Sequence, residues 1–164
     1  MLYLDTSLLV AALTHQTRTA EVQDWLAAQN PDELAISEWT VTEFSSAMSI
    51  KVRTGQLASD HRADALVALA DLIDNSFWVW PVSRLDFRTA ARFADQHETG
   101  LRAGDALHLA IAANHGGRVC TLDRLLAQAA PALGVSAALL YTSARPRRGI
   151  AQRSCAPTRM GPSA

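Results

Sequence analysis

Four acidic residues of this 164-residue chain lie beside apolar segments and not within charged ones. Asp5 and Asp123 each follow a short apolar run, Glu43 lies within a helical pattern, and Asp105 precedes the apolar stretch that starts at Ala106. Burying a carboxylate costs several kcal/mol unless a cation or hydrogen bonds compensate for it. We therefore expect the four acids to converge and to hold a hard divalent metal ion.

Carboxylate oxygens without sulfur or imidazole ligands favour Mg²⁺ or Mn²⁺. Such an ion activates a water molecule and stabilises the charge that develops on a phosphate. The sequence contains no GxSxG, no GxxxxGK[ST] and no GxGxxG, so no other catalytic motif competes. Its five histidines lack the spacing of a zinc site.

Each acid also has a purely structural interpretation. Asp5, Asp105 and Asp123 could each cap a helix, and Glu43 could be a solvated helix residue. Each of these interpretations is reasonable for one residue alone, but the metal site accounts for all four residues together.

Several neighbours of the acids are candidates for supporting roles. Hydroxyls of Thr6, Ser7 and Thr121 could hold the acids or metal-bound waters, or could cap helices, with Thr6 or Ser7 expected to cap the first one. Arg102 could contact phosphate, although a local ion pair with Asp105 is the simpler expectation. We expect His108 to be hydrogen-bonded in the interior and not to bind the metal.

Apolar periodicity predicts strands that alternate with helices along the chain. The predicted strands cover residues 2–5, 33–37, 77–82, 118–122 and 135–140. The predicted helices cover residues 7–14, 17–30, 38–54, 59–75, 84–97, 105–114 and 123–130. This alternation predicts a three-layer α/β/α domain with a central, mostly parallel sheet, in which Asp5 and Asp123 lie at carboxyl ends of strands, where ligands bind.

Length and composition fit one globular domain with a substantial core. No apolar run approaches the ~20 residues of a membrane helix, and no signal peptide is evident, so we expect a cytoplasmic protein without a membrane partner. Cys120 and Cys155 lack CxxC spacing, and we expect no disulfide between them.

The formal net charge of −1 hides a division of the chain into two parts. Residues 1–141 hold 10 basic and 16 acidic residues, a net charge of −6, whereas residues 142–164 hold five arginines and no acid. The first part is predicted to be the folded domain, and the second an Arg- and Pro-rich disordered tail. The tail is either a solvated segment or a cationic arm for nucleic acid.

Four segments contain the four acids: LYLDTSLLV, WTVTEFSSAM, LRAGDALHLAIA and VCTLDRLL. Together they resemble the PIN-domain ribonucleases, and more narrowly the VapC toxins of type II toxin–antitoxin modules. LYLDTSLLV is similar to the first strand and its metal-binding aspartate, and WTVTEFSSAM to the helix that carries the glutamate. LRAGDALHLAIA and VCTLDRLL resemble the segments of the third and fourth acids. The resemblance covers about residues 1–140 and does not extend to the tail.

The resemblance implies that Asp5, Glu43, Asp105 and Asp123 are the catalytic acids that bind Mg²⁺ or Mn²⁺. The implied reaction is hydrolysis of an RNA phosphodiester bond by metal-activated water. The implied partners are an RNA substrate, a second copy in a homodimer, and a cognate antitoxin protein that silences the enzyme.

Two other functions stay open at this level. A non-catalytic PIN-like module that only binds a partner is the first. A metal-dependent phosphatase of the haloacid dehalogenase type is the second, but it requires an acid two residues after Asp5, where this chain has Ser7.

Overall fold

A five-stranded, entirely parallel sheet forms the centre of this computed structural model, which describes residues 1–140. Its spatial order is β3-β2-β1-β4-β5. The strands are β1 (Leu2–Leu4), β2 (Leu34–Ser37), β3 (Trp78–Trp80), β4 (Arg118–Thr121) and β5 (Ala137–Leu139). The three-layer α/β/α prediction is confirmed, and the sheet is parallel throughout because helices make every crossover between strands.

Seven α-helices occur within residues 1–140. They are α1 (Thr6–Leu13), α2 (Thr19–Ala27), α3 (Glu38–Arg53), α4 (Ser59–Asn75), α5 (Arg84–Ala94), α6 (Ala103–Asn114) and α7 (Arg124–Ala129). None of the helices in this range is long and apolar enough to cross a membrane. Cys120 is a buried free thiol, while Cys155 and the predicted tail, residues 142–164, lie outside the described residues.

Side-chain alternation along the strands separates the core into two layers. In β1, Leu4 packs with the cluster on the α1, α3 and α4 side, whereas Tyr3 packs with the cluster around α6. In β4, Cys120 packs with the same cluster as Leu4, and Val119 packs with the same cluster as Tyr3. Successive strand residues point to opposite faces, so each central strand supports both helical layers.

Strand order reverses direction between β1 and β4. The chain builds outward from β1 through β2 to β3, and then returns through α5 and α6 to β4 on the other side of β1. In doubly wound sheets, ligands bind in the crevice at the carboxyl ends of the strands where this reversal occurs. Asp5, directly after β1, and Thr121, the last residue of β4, flank that crevice.

The start of α1 differs from the sequence prediction. Asp5 is the N-cap, and its side chain accepts a hydrogen bond from the backbone N–H of Leu8, whereas Thr6 and Ser7 are the first helical residues. The prediction that Thr6 or Ser7 caps this helix is therefore wrong, because the aspartate that ends the strand already occupies the cap position.

Gly117 is a position where packing requires glycine. A Cβ added there would lie 2.7 Å from Cη2 of Trp80 and 3.1 Å from Cζ3 of the same ring. That ring is stacked between Tyr3 and His115, so it has little freedom to move aside.

Gly117→Ala is therefore expected to reduce the free energy of unfolding by about 1–3 kcal/mol through overpacking. Urea denaturation checks this loss. In a double-mutant cycle, Trp80→Phe should recover part of it because phenylalanine lacks the two crowded atoms. Additive effects in that cycle would show that the ring is not the cause.

Candidate active site at the switch point of the sheet

Asp5 is a buried carboxylate that is held entirely by uncharged donors. Only 4% of the surface of Asp5 is exposed to solvent. Oδ1 accepts hydrogen bonds from Ser7 Oγ at 2.7 Å and from the backbone N–H of Leu8 at 3.3 Å. Oδ2 accepts one from Thr121 Oγ1 at 2.7 Å. These donors come from both sides of the switch point, so the carboxylate is fixed in orientation before any ligand arrives.

Burial raises the pKa of Asp5 above its ordinary value, because removal from water penalises the charged form. The nearby His108 ring and the hydrogen bonds from Ser7, Thr121 and Leu8 oppose that shift without cancelling it. A cation bound beside Asp5 would remove the remaining cost of its charge.

His108 connects the second candidate acid, Glu43, to the core. Its Nε2 lies 2.8 Å from Oε2 of Glu43, and its Nδ1 lies 2.8 Å from the hydroxyl of Tyr3. Because an ionised carboxylate can only accept, Nε2 carries the proton, and in the neutral ring Nδ1 accepts from Tyr3. Thr6 Oγ1 lies 3.3 Å from the same Nε2. His108 is 2% exposed and hydrogen-bonded in the interior, as the sequence predicted.

Tyr3 lies at the buried end of this hydrogen-bond network, and sequence reasoning missed its role. Its hydroxyl also contacts Ser37 Oγ at 2.7 Å and Thr40 Oγ1 at 3.2 Å. Ser37 caps α3 in a reciprocal capping box with Thr40. The S-x-x-T spacing at the start of α3 is the sequence signal from which this cap could have been predicted, but its contact with a strand tyrosine depends on the pairing of β1 with β2.

Glu43 is half-buried and is held as a carboxylate. Its own burial favours the neutral form, but the hydrogen bonds from His108 and Thr6 and the electrostatic interaction with the His108 ring outweigh that effect, so the pKa of Glu43 is lowered. The first turn of α6 approaches this side chain closely, because a Cβ added at Gly104 would lie 2.9 Å from Oε1 of Glu43. Glycine at this position leaves the space that the carboxylate occupies.

Asp105 follows Gly104 but differs from its predicted environment. It is the third residue of α6, it is half-buried, and its Oδ2 accepts a hydrogen bond from the backbone N–H of Arg102 at 3.0 Å. The expected ion pair with the Arg102 side chain is absent from the described residues. The carboxylate that is buried in an apolar environment is therefore Asp5 and not Asp105, because Asp105 lies at the open end of its helix.

Asp123 caps α7 at the surface. Its Oδ1 accepts hydrogen bonds from the backbone N–H groups of Leu125 at 2.7 Å and Leu126 at 3.2 Å. Its own backbone N–H donates to Oγ1 of Thr121, the hydroxyl that donates to Asp5. Thr121 therefore connects the backbone of one candidate acid to the carboxylate of another.

A comparison with protein-family models matches residues 2–131 to the PIN domain family. This chain belongs to the PIN domain family. The match extends from β1 into the short 3-10 helix after α7, and so contains all four candidate acids. The resemblance identified from the sequence is thereby confirmed at the level of the family. A comparison with curated proteins gives no match.

Solved structures of toxin–antitoxin proteins share this fold. VapBC-5 from Mycobacterium tuberculosis, of the VapBC family of toxin–antitoxin systems, is 26% identical with a TM-score of 0.56 over 84% of this chain and 97% of that chain. VapC20 from the same organism, a toxin that cleaves the sarcin–ricin loop, is 19% identical with a TM-score of 0.64 over 79% and 95%.

VapBC2 from Rickettsia felis, solved with a DNA fragment from its promoter, is 17% identical. It has a TM-score of 0.58 over 84% of this chain and 98% of that chain. At this identity the likeness extends to the fold alone.

The oxygen atoms available as metal ligands at the switch point suit a hard divalent cation by their chemistry. They are carboxylate and hydroxyl oxygens, and Asp5 has a charge that its uncharged donors do not neutralise. Within residues 1–140, however, no three His, Cys, Asp or Glu side chains are grouped closely enough to hold a metal by themselves. Mg²⁺ commonly takes only one or two protein carboxylates, with waters and substrate oxygens completing its shell, so this spacing is compatible with it.

Asp5→Asn is expected to stabilise the metal-free protein at neutral pH by about 1 kcal/mol, because it removes a buried charge while asparagine remains a good helix cap. Because the folded state raises the pKa of Asp5, the cost of its charge appears as pH rises through that pKa. This cost disappears below about 3.9, the pKa of an aspartate in the unfolded chain.

The stability advantage of Asp5→Asn over the wild type should therefore shrink as pH falls toward about 4. Thermal unfolding of both proteins in EDTA between pH 4 and 8 measures this difference in stability. Asp60→Asn, in the exposed first turn of α4, is the matched control and should not stabilise the protein. Equal stability of the Asp5 variant and the wild type at every pH would contradict a cost from the Asp5 charge.

Proposed function

We propose that this PIN domain is an Mg²⁺-dependent endoribonuclease, with Mn²⁺ as an alternative ion, and that it acts as the toxin of a type II toxin–antitoxin module. The observation that carries the proposal is the buried, incompletely neutralised carboxylate of Asp5 at the switch point of a PIN-family sheet. In the proposed site Asp5, Glu43, Asp105 and Asp123 hold the ion, one or two of them directly and the others through its water ligands.

The surrounding residues orient the acids before substrate arrives. Ser7 and Thr121 fix the two oxygens of Asp5. His108 donates a hydrogen bond to Glu43 and accepts one from Tyr3, so Glu43 stays ionised and is oriented by a buried partner. Such hydrogen bonds to metal-binding carboxylates restrict their rotation and tune their affinity for the ion.

A bound divalent ion would supply positive charge at the scissile phosphate and lower the pKa of a water molecule so that it can attack. Arg102, exposed at the start of α6, is proposed to contact a substrate phosphate, because its side chain makes no ion pair with Asp105. Thr6, which contacts His108, is proposed to support the Glu43 carboxylate.

The proposed partners follow from family membership and from the proteins that share the fold. VapC20 is a toxin that cleaves the sarcin–ricin loop, and VapBC-5 belongs to a family of toxin–antitoxin systems. We propose by analogy an RNA substrate, a cognate antitoxin, a homodimer and a cytoplasmic location for this chain.

A non-catalytic partner-binding module is the alternative, and a specific observation favours it. Asp123 caps α7, Asp105 accepts a hydrogen bond from the backbone N–H of Arg102 at the start of α6, and no three acids are grouped within residues 1–140. A module of this kind would not require a divalent ion. Dependence on a divalent ion therefore distinguishes the nuclease from the non-catalytic module.

Asp105→Asn is expected to lower Mg²⁺-dependent RNA cleavage by more than about 100-fold, because an amide cannot replace the charge of a metal-binding carboxylate. The rate of cleavage of total RNA by the wild type and by Asp105→Asn, each with Mg²⁺ and with EDTA, measures this loss. Expression of the wild type alone should arrest growth, whereas the variant should not. Asparagine still accepts the hydrogen bond from Arg102, so the helix start is preserved.

Asp60→Asn makes the same chemical change in the exposed first turn of another helix and should leave cleavage intact. Mg²⁺ should also raise the melting temperature of the wild type but not that of Asp5→Asn, because only a binding-competent native state gains from the ion. RNA cleavage that survives EDTA, or equal toxicity of wild type and Asp105→Asn, would refute the mechanism. Absence of both cleavage and an Mg²⁺ effect would favour the non-catalytic module.

Gly104→Ala is expected to separate activity from stability. The new methyl group would displace Oε1 of Glu43 and lower cleavage roughly 10- to 100-fold, while alanine in a helix adds about 0.5–1 kcal/mol of stability. Cleavage rates and thermal unfolding of one preparation give both quantities.

Glu43→Asp provides the matched comparison for this effect. Its shorter side chain no longer reaches the added methyl group, so the double variant should cleave no more slowly than Glu43→Asp alone. Full activity of Gly104→Ala would exclude a role for the observed Glu43 position.

A further inference from the structure

Helix α5 concentrates positive charge on one exposed face of an acidic domain. Its arginine row consists of Arg84, Arg88 and Arg92, which recur every four residues, so their exposed side chains lie along one side of the helix. They are three of the ten basic residues in residues 1–141, which have a net charge of −6. None of the three forms an ion pair within residues 1–140, so the row is available to an anion.

An apolar slot lies between α5 and the start of α6. Its lining includes Trp39 of α3, Phe87 and Ala91 of α5, and Gly104 and Leu107 of α6. Its volume is about 280 Å³, just below the usual range of small-molecule pockets, a size that suits one planar aromatic group. Phe87 is 58% exposed, so the slot has an aromatic ring at its surface.

The slot adjoins both the candidate site and the arginine row. A Cβ added to Gly104 would lie 2.9 Å from Oε1 of Glu43 and 3.6 Å from Cζ2 of Trp39. On α5, Phe87 comes three residues after Arg84, so the two side chains are neighbours on the helix surface. A polynucleotide bound by the row and the slot is therefore held next to Glu43.

Trp39 carries an unsatisfied donor in the lining of the slot. Within residues 1–140, its indole Nε1 is the one buried side-chain nitrogen or oxygen atom without a hydrogen-bond partner. An unsatisfied buried donor is costly, and a ligand acceptor would remove that cost. Unstacked RNA bases have acceptors on their edges and flat faces that stack on aromatic side chains. A base thus matches both the shape of the slot and its polar group.

We propose that the slot receives one unstacked base of the RNA substrate, while the arginine row binds the phosphates beside that base. The inference deepens the proposed function and rests on it for the identity of the substrate. Arginine suits this role because its planar guanidinium binds phosphate oxygens in a bidentate manner and keeps its charge at physiological pH. Phe87 and the arginines are positioning residues, because they hold the RNA beside the acids.

A second copy of this chain is the competing occupant of the same surface. A twofold contact centred on α5 would bring the arginine rows of the two copies together. Like charges placed against each other oppose association, whereas the same charges attract a polyanion. The charge of α5 therefore favours RNA over a second copy.

The test of the arginine row changes Arg84, Arg88 and Arg92 to glutamine in the full-length protein. Binding of a fluorescently labelled, unstructured single-stranded RNA is measured in EDTA over a range of salt concentrations. Each lost phosphate contact reduces the slope of log K against log salt by about 0.7, so we expect a reduction of up to about 2 and roughly tenfold weaker binding at low salt.

A matched variant changes Arg18, Lys51 and Arg53 to glutamine, which removes the same net charge outside α5. It should keep the wild-type slope and most of the affinity. Equal losses in the two triple variants, or unchanged binding by the α5 variant, would overturn the arginine row as a phosphate site.

Phe87→Ala is expected to weaken RNA binding roughly 5- to 100-fold through loss of base stacking, whereas Phe87→Tyr should retain it. Leu85→Ala truncates another side chain of α5 that is 56% exposed and should leave binding unchanged. Unchanged binding by Phe87→Ala would overturn the slot. If that variant also converted a dimer into a monomer in size-exclusion chromatography, the face would be an interface between copies.

Binding in EDTA is independent of the cleavage reaction. Weaker RNA binding by the α5 arginine variant and by Phe87→Ala would support the inference even if the wild type showed no metal-dependent cleavage. Metal-dependent cleavage with unchanged binding by both variants would leave the proposed function intact and refute the inference. Absence of RNA binding by the wild type would refute it as well.

Discussion

The organisation of the site depends on one buried negative charge, that of Asp5. It lies directly after the central strand, where water is excluded, and only hydroxyl and backbone groups bind it. Those groups orient the carboxylate but leave part of the cost of its burial uncompensated, as its raised pKa indicates. The fold thus maintains a group that is unfavourable for stability in the free protein, an arrangement common at functional sites.

A second interaction, the hydrogen-bonded series Tyr3–His108–Glu43, connects three elements that are distant in sequence. Tyr3 in β1 donates a hydrogen bond to Nδ1 of His108 in α6, which in turn donates to Glu43 of α3. The strand that delivers Asp5 therefore also fixes the second acid. Because both acids depend on β1, a shift of that strand by one residue would turn Tyr3 to the other face and disrupt both.

Sequence patterns predicted the alternation of strands and helices, the parallel sheet and the location of Asp5 and Asp123 after β1 and β4. The helix boundaries differ by a few residues, as at α2, which covers Thr19–Ala27 and not residues 17–30. The predicted burial was wrong for Asp105, because apolar neighbours along a helix do not show which end of the helix is open to solvent. The roles of Ser37 and Thr40 beneath Tyr3 were missed, since they depend on which strands are adjacent.

By itself, the sequence determined the fold class, the family and the types of residue available for chemistry, because periodicity, segment order and acidic composition are properties of the chain alone. The tertiary structure decided which acid bears the cost of burial and which histidine tautomer holds Glu43. It also decided that Trp39 and Phe87 line a slot beside Glu43. These features depend on solvent exclusion and on contacts between residues up to 116 positions apart, which no local pattern encodes.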